Sequence, residues 1–166
     1  MAEAPVLLGL GANLDAPLRQ LVEAVQRLRP LIEPLAVSSV YRSAPVGYVA
    51  QPDFLNMVVR GRAGHAPETL LDRVLEIEQQ LGRTRLFPNA PRTIDIDILA
   101  YGDLILDTPK LTLPHPRLHH RAFVLVPLAE IAPEWRHPIF GKTAAELLAE
   151  SGSLERVERV RGRIPM

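Results

Sequence analysis

Two aspartates, Asp95 and Asp97, stand one residue apart in an alternating stretch of the chain. Three isoleucines, Ile94, Ile96 and Ile98, alternate with them, and a strict apolar–polar alternation of β-branched residues predicts a strand. Residues on the same face of a strand are about 7 Å apart. The two carboxylates are therefore expected side by side, with the isoleucines setting the register from the opposite face. Oxygen ligands at this spacing suit Mg²⁺, which proteins usually hold with one or two carboxylates and substrate phosphates.

Three arginines, Arg83, Arg85 and Arg92, precede this pair of aspartates. Guanidinium groups bind phosphate through paired hydrogen bonds, and carboxylates hold the metal ions that accompany nucleotide phosphates. An edge strand with two solvated aspartates is the alternative interpretation of the pair alone. The neighbouring arginines favour a phosphoryl-transfer site instead.

The composition predicts one intracellular domain spanning residues 1–166. Hydrophobic residues make up 47% of the chain, which is ample for a core, and cysteine is absent. The 19 basic and 19 acidic residues balance, whereas a general nucleic-acid or membrane-surface binder would carry a basic excess. No apolar run has the length of a membrane span, and the first residues lack the basic start of a signal peptide. We therefore expect a cytoplasmic protein that binds neither nucleic acid nor membrane.

The elements that would position the aspartates alternate along the chain. Apolar runs predict strands at residues 5–10, 35–41 and 54–62, and the aspartate stretch is a further strand. Apolar residues at helical spacing predict one helix that ends before Pro30 and a second that begins at Pro67 and ends at Gly82. The order β-α-β-β-α-β is that of a ferredoxin-like α+β fold, with two helices on one face of an antiparallel-type sheet.

Additional short strands and C-terminal helices are expected after this core. Residues 104–107 and 110–113 suggest short strands, and residues 121–132 a helix that we expect to break at Pro127. A capping box at Thr143 and Glu146 predicts the start of another helix. Residues 154–163 fit either an edge strand or a solvated tail.

The pair Gly9 and Gly11 after the first strand is reminiscent of a dinucleotide-binding fingerprint. That fingerprint needs a third glycine, and Leu14 occupies its position. The sequence therefore does not support a Rossmann site.

Several short motifs in series resemble those of the 6-hydroxymethyl-7,8-dihydropterin pyrophosphokinases of folate biosynthesis. The resemblance extends from Val6 to about Pro133, and the motifs occur in the order of the family. They lie at residues 10–14, 41–43, 51–56, 78, 82–85, 91–99, 113–118 and 121–125.

The resemblance implies a reaction and a set of catalytic residues. Enzymes of this family move the β,γ-diphosphate of ATP onto the pterin hydroxymethyl oxygen and leave AMP. By resemblance, Asp95 and Asp97 bind two Mg²⁺ ions that bridge the ATP phosphates, and Asp95 also touches the pterin. Arg83 and Arg92 resemble the catalytic guanidinium groups of the family, which clamp the transferring group.

The resemblance also implies the residues that bind each substrate. Contacts with the ATP phosphates are expected from Arg85, His115 and Arg121. Contacts around the nucleotide base are expected from Leu71, Leu75, Glu78, Ile98, Lys110, Leu111 and Thr112. The pterin would stack between two rings and bond to a buried amide, and its expected partners are Phe54, Phe123, Asn56, Asp95, Ser43, Ala44 and Val46.

One departure from the family falls in the loop before the aspartates. Many members carry Arg-Trp-Gly-Pro-Arg there, whereas this chain has the run 87–92 without tryptophan, its only tryptophan being Trp135. Phe87 is one candidate to replace that residue. The expected substrates are the small molecules ATP and 6-hydroxymethyl-7,8-dihydropterin, and we expect the protein to be a monomer. The alternatives weighed are a metal-dependent phosphohydrolase and a ferredoxin-like RNA-binding module, the latter disfavoured because aromatic residues are only 5% of the chain.

Overall fold

An antiparallel sheet with helices on both faces forms the protein. The computed structural model describes residues 4–14, 16–44, 50–82, 94–151 and 157–163. The strands are β1 (Ala4–Ala12), β2 (Ile32–Val37), β3 (Val40–Ser43), β4 (Phe54–Ala63), β5 (Asp95–Tyr101), β6 (Leu106–Asp107), β7 (Thr112–Leu113) and β8 (Val157–Arg161). The main sheet runs in the order β5-β1-β4-β3-β8, with β2 also paired to β4, and every pairing is antiparallel.

Two helices cover one face of this sheet, as the alternation of elements predicts. They are α1 (Pro17–Leu28) and α2 (Pro67–Gln80). Their apolar sides join the predicted strand face of Ile94, Ile96 and Ile98 in the larger core cluster. The ferredoxin-like α+β prediction is confirmed. The structure adds that β5 pairs with β1 and lies at the edge of the sheet.

The opposite face is covered along only part of each strand. Helix α3 (Ala122–Ile131) and helix α4 (Ala144–Glu150) pack there against a second cluster that includes Leu7, Val58 and Leu99. Because side chains alternate along a strand, the next residues on this face are glycine, asparagine and aspartate rather than apolar residues. The helices therefore leave one end of the face open.

The predicted strand over residues 35–41 is in fact two strands, β2 and β3, separated by Ser38 and Ser39. The Ser38 hydroxyl accepts a hydrogen bond from the Val58 backbone N–H at 2.9 Å, and so replaces a backbone carbonyl. Ser39 instead bonds to the carboxylate of Glu130 on α3 through its backbone N–H at 2.9 Å and its hydroxyl at 2.8 Å. Both serines are buried, and their side-chain bonds interrupt the ladder of backbone bonds.

The expected break at Pro127 is also wrong, because α3 continues through it. Proline cannot donate to the carbonyl four residues earlier, which costs roughly 3 kcal/mol in a helix interior. Pro127 is buried together with Leu125 and Leu128, and this burial offsets the lost bond.

The remaining elements agree with the sequence in type but not always in length. Strands β6 and β7 are shorter than predicted and pair with each other. The capping box of Thr143 and Glu146 is present. Of the two alternatives for the C-terminal residues, an edge strand is found, since β8 pairs with β3. None of the helices in the described ranges combines the length and apolar composition that a membrane crossing requires.

Candidate active site

The open end of the sheet face forms a cavity whose floor comes from three adjacent strands. Asp95 and Asp97 of β5 lie opposite Gly11 and Gly9 of β1, and Gly11 in turn lies opposite Asn56 of β4. The predicted placement of both carboxylates on the face away from the isoleucines is confirmed. The cavity also brings together most of the predicted phosphate and pterin residues, namely Ser43, Ala44, Phe54, Asn56, Asp95, Asp97, His115, Arg121 and Phe123.

Gly9 and Gly11 line the floor of the cavity, and the sequence predictions did not include either glycine among the site residues. A Cβ atom on Gly11 would lie 3.1 Å from Oδ1 of Asn56 and 3.9 Å from Cδ1 of Phe54. A side chain there would occupy the floor of the cavity. Glycine inside a strand commonly marks a close approach by a ligand or another backbone, and this is the signal that could have identified the two positions.

A buried polar group of the cavity is the amide of Asn56. Asn56 is 5% exposed, and its Nδ2 donates a hydrogen bond of 2.7 Å to the Ser43 hydroxyl on β3. Phe54, on the same face of β4, is also buried. The predicted combination of a ring and a buried amide on one strand face is therefore confirmed as geometry.

The opposite wall comes from the start of α3 and the turn before it. Phe123 is partly exposed, and the guanidinium carbon of Arg121 lies 5.4 Å from the centre of its ring. A flat ligand in the cavity would thus have aromatic rings on two sides and a cation near its edge.

His115 brings a neutral imidazole to the cavity. Burial, together with the nearby guanidinium groups of Arg121 and Arg117, lowers the pKa of His115 to about 4, against the opposing effect of Asp95. Its Nδ1 accepts a hydrogen bond from the Arg117 backbone N–H at 3.2 Å. The single proton of the neutral ring is therefore on Nε2. At neutral pH, His115 can donate a hydrogen bond but carries no charge.

Asp95 and Asp97 are the residues that could hold a metal ion. Within the described ranges, no group of three or more histidine, cysteine or acidic side chains is arranged to bind one. Two carboxylates without a third protein ligand match the way Mg²⁺ is bound, because this ion keeps most positions for water and substrate phosphate. The donor set therefore fits Mg²⁺ carried with a nucleotide.

The residues predicted to surround the nucleotide base lie on the other side of β5. Ile98 is buried in the larger core cluster, and Leu71 and Leu111 pack against that cluster. Leu75 is 42% exposed on α2. Thr112 lies in β7, and Lys110 forms an exposed ion pair of 2.7 Å with Asp72 on α2. These residues do not line the cavity, and the edge strand β5 separates them from it.

Glu78 of this group has a contact that the sequence does not predict. Its Oε2 accepts a hydrogen bond of 2.6 Å from the backbone N–H of Ile96, the residue between the two aspartates. Glu78 is only 3% exposed. The four remaining predicted residues, Val46, Arg83, Arg85 and Arg92, lie outside the described residues.

Asn13 is a further residue whose role the sequence reasoning did not identify. Its Nδ2 donates to Oε1 of Gln51 at 2.7 Å and to the backbone carbonyl of Pro52 at 3.0 Å. Asn13 is 3% exposed. These bonds fasten the end of β1 to the segment that leads into Phe54, and they join residues too distant in sequence for a local pattern to reveal them.

The fold and the cavity define an α+β protein with a cavity of carboxylate, amide and aromatic side chains on the open part of its sheet face. The sequence profile of the 7,8-dihydro-6-hydroxymethylpterin-pyrophosphokinase (HPPK) family matches residues 7–133. The chain belongs to this family.

Individual relatives agree with this assignment. The chain is 44% identical over 146 residues to the 2-amino-4-hydroxy-6-hydroxymethyldihydropteridine pyrophosphokinase of Synechocystis, covering 87% of this chain and 74% of the relative. It is 42% identical over 159 residues to the enzyme of the same name from Pseudomonas aeruginosa, covering 95% and 97%.

Solved structures support the fold. An HPPK-DHPS of Plasmodium falciparum, crystallised with pteroate, has a TM-score of 0.70 at 15% identity. The similarity covers 90% of this chain and 43% of that one, so this chain spans less than half of the solved protein.

Proposed function

We propose that this cavity is where the chain transfers the β,γ-diphosphate of ATP to the hydroxymethyl oxygen of 6-hydroxymethyl-7,8-dihydropterin, giving AMP and the diphosphorylated pterin. The observation that carries the proposal is the joint floor of the cavity, where the paired carboxylates of β5 lie beside the aromatic and amide side chains of β4. A phosphoryl-transfer site and a slot for a flat heterocycle are thus adjacent. Pyrophosphokinase activity in folate biosynthesis is the activity of the family.

In this proposal, the pterin binds between Phe54 and Phe123, and the Asn56 amide forms hydrogen bonds with the polar edge of the pterin. Aromatic pairs contribute about 0.5–1.5 kcal/mol beyond the area they bury. The bond from Asn56 to Ser43 keeps the amide in one orientation, so the heterocycle meets a fixed donor and acceptor pattern. Ser43 and Ala44 line the same cavity at the end of β3, and we propose that Val46, which follows them in the sequence, also contacts the pterin.

Asp95 and Asp97 hold two Mg²⁺ ions in this proposal. When bound, such ions neutralise phosphate charge and orient an in-line displacement. In addition to holding Mg²⁺, the Asp95 carboxylate accepts a hydrogen bond from the pterin hydroxyl in this proposal and so orients that oxygen. Positioning of this kind is the main protein contribution in phosphoryl transfer.

ATP would cross the free edge of β5. Its base would lie on the α2 side, near Leu71, Ile98 and Thr112, and its phosphates on the cavity side. There, Nε2–H of neutral His115 and the Arg121 guanidinium face the phosphate oxygens. The edge position of β5 supports this path, because a neighbouring strand on each side of an internal strand would block the passage of ATP from one face of the sheet to the other.

Arg83, Arg85 and Arg92 lie in the sequence between α2 and the aspartate strand β5. We propose that Arg83 and Arg92 clamp the transferring group and that Arg85 contacts the ATP phosphates. A guanidinium that meets charge developing in the transition state lowers the barrier more than it strengthens ground-state binding.

We propose in addition that the protein is a monomer, that residues 1–166 form a single domain, and that it acts in the cytoplasm. Gel filtration of the active protein, run beside the activity assay, would test the first of these statements.

The identity of the nucleotide product tests the function directly. The purified chain with Mg²⁺, ATP and 6-hydroxymethyl-7,8-dihydropterin should give AMP and a diphosphorylated pterin in equal amounts. ADP as the nucleotide product would mean attack at the γ-phosphorus, as in an ordinary kinase. ATP consumption without the pterin would mean a phosphohydrolase. Either result contradicts the proposal.

A further inference from the structure

We propose that Glu78 is a positioning residue for the two aspartates, and that it acts by holding the peptide bond between Asp95 and Ile96. The proposal rests on the proposed function, since it assigns a task to the metal-binding aspartates. It gives Glu78 a role in the protein without ligands, in addition to the nucleotide contact that the family resemblance implies.

The first observation is the geometry at the edge of the sheet. Asp95 and Asp97 pair with Gly11 and Gly9 of β1. Successive N–H groups of a strand point to opposite sides, so the N–H of Ile96 points away from β1, toward the free edge. There Oε2 of Glu78 accepts it at 2.6 Å, a short distance typical of a bond to a charged acceptor.

The second observation is the burial of Glu78. Its side chain is 3% exposed on the side of α2 that also carries Val74 and Ile77, and these two residues pack in the cluster that contains Ile96. A carboxylate in such surroundings is costly unless hydrogen bonds compensate its lost hydration. An apolar side chain would satisfy the packing, so the acidic group is explained by the bonds it accepts.

The consequence concerns the direction of both carboxylates. The peptide group that Glu78 holds joins Asp95 to Ile96, and Asp97 follows Ile96. Rotation of this peptide group would therefore change the direction of the two aspartate side chains relative to each other. Within the described residues, β5 pairs with a strand on only one side, so the bond to Glu78 helps to resist that rotation. Residues that orient metal ligands typically change metal affinity or activity by about 10–100-fold when removed.

Three variants separate this role from the alternatives. Glu78→Leu removes the acceptor, and Glu78→Gln keeps an acceptor oxygen without the charge. Glu76→Leu is the matched control, because Glu76 lies on the same helix, is exposed and pairs only weakly with Arg73 at 3.4 Å. Each variant is compared with the wild-type chain in two experiments, one on the metal-free protein and one on turnover.

The first experiment measures amide hydrogen exchange and the amide proton shift of Ile96 by NMR in the metal-free protein. We expect a protected, downfield Ile96 amide in the wild-type, Glu78→Gln and Glu76→Leu chains, and at least tenfold faster exchange in Glu78→Leu. If Glu78→Leu does not fold, the wild-type spectrum still decides, since rapid exchange at Ile96 in the wild type would overturn the proposal.

The second experiment measures the Mg²⁺ concentration that gives half-maximal AMP formation. We expect it to rise by about 10–100-fold in Glu78→Leu and by less than about threefold in Glu78→Gln and Glu76→Leu. Metal-free binding of AMP, followed by calorimetry, should weaken by a smaller factor in Glu78→Leu than its Mg²⁺ requirement rises, and should be unchanged in Glu76→Leu. Loss of AMP affinity in proportion to activity would make Glu78 a nucleotide contact alone and overturn the positioning role.

Equal losses in Glu78→Leu and Glu78→Gln would show that the charge matters and the bond does not, which also overturns the proposal. An unchanged Mg²⁺ requirement in Glu78→Leu does the same. These outcomes differ from failure of the proposed function, in which the wild-type chain itself would form no AMP.

Discussion

Replacing Gly11 by alanine tests whether the bare floor of the cavity is needed for the pterin. The added Cβ atom would lie 3.1 Å from Oδ1 of Asn56, closer than an ordinary van der Waals contact. Asn56 cannot move freely, because it is 5% exposed and bonded to Ser43 at 2.7 Å. The amide must shift by a few tenths of an ångström or release Ser43, and in both cases it loses its alignment with the heterocycle.

The expected size of the effect follows from the bonds at risk. One hydrogen bond contributes about 0.5–1.5 kcal/mol, so loss of one or two bonds from Asn56 should raise the dissociation constant of the pterin by a factor between about 2 and about 150. Calorimetry with the pterin and a non-hydrolysable ATP analogue measures this constant. The affinity for the ATP analogue alone should stay within about twofold, because the change lies on the pterin side of the cavity.

Gly64→Ala is the matched control for this substitution. A Cβ atom there would meet no atom within 4 Å, so this variant reports only the general effect of replacing a glycine by alanine. If Gly11→Ala binds the pterin as tightly as Gly64→Ala does, the floor of the cavity is not part of the pterin slot.

Three further predictions concern Asp97, the aromatic ring of Phe123 and the hydrogen bonds of Glu130 on α3. Asp97→Ala should lower kcat by orders of magnitude and leave the unfolding midpoint nearly unchanged, since Asp97 lies outside both apolar clusters; retention of full Mg²⁺-dependent turnover would refute the metal assignment. Phe123→Ala should weaken pterin binding at least about tenfold from lost area and stacking, and an equal loss of ATP affinity in calorimetry would indicate general damage instead. Burial raises the pKa of the Glu130 carboxyl, but hydrogen bonds from Tyr41 and Ser39 outweigh it and the net pKa is lowered. The stabilisation from Glu130 is thus present above the ordinary carboxylate pKa and is lost as the pH falls through the lowered one. In acid, the thermal unfolding midpoint should therefore depend less steeply on pH in Glu130→Gln than in the wild type. Identical slopes would contradict the stabilising role of the hydrogen bonds to Glu130.

Much of the fold could be predicted because its signals are local. The alternation around Asp95 and Asp97 requires a strand with one apolar face, whatever the rest of the chain does. The apolar spacing after Pro67 and the stop at Gly82 likewise describe α2 without reference to its partners. The order of these elements was then enough for a ferredoxin-like prediction, which the topology of the sheet confirms.

The failed expectations involve partners that are distant in the chain. The break at Ser38 and Ser39 depends on Val58 and on Glu130, which is 91 residues from Ser39 in the chain. The continuity of α3 through Pro127 depends on apolar neighbours that outweigh a poor local preference. Local patterns carry no information on either.

In the candidate site, too, local features could be predicted from the sequence and contacts between distant residues could not. By itself, the sequence determined which side chains are available for chemistry and that the two aspartates share a strand face, because the side-chain period of a strand is a local property. The tertiary structure decided what stands beside them: Gly9 and Gly11 opposite the carboxylates, Asn56 next to Gly11, and Glu78 on the peptide between the aspartates. These relations depend on strand register and helix packing, which are set by the burial of both clusters together. A binding cavity is a set of distances between residues far apart in sequence, and only the packed sheet determines those distances.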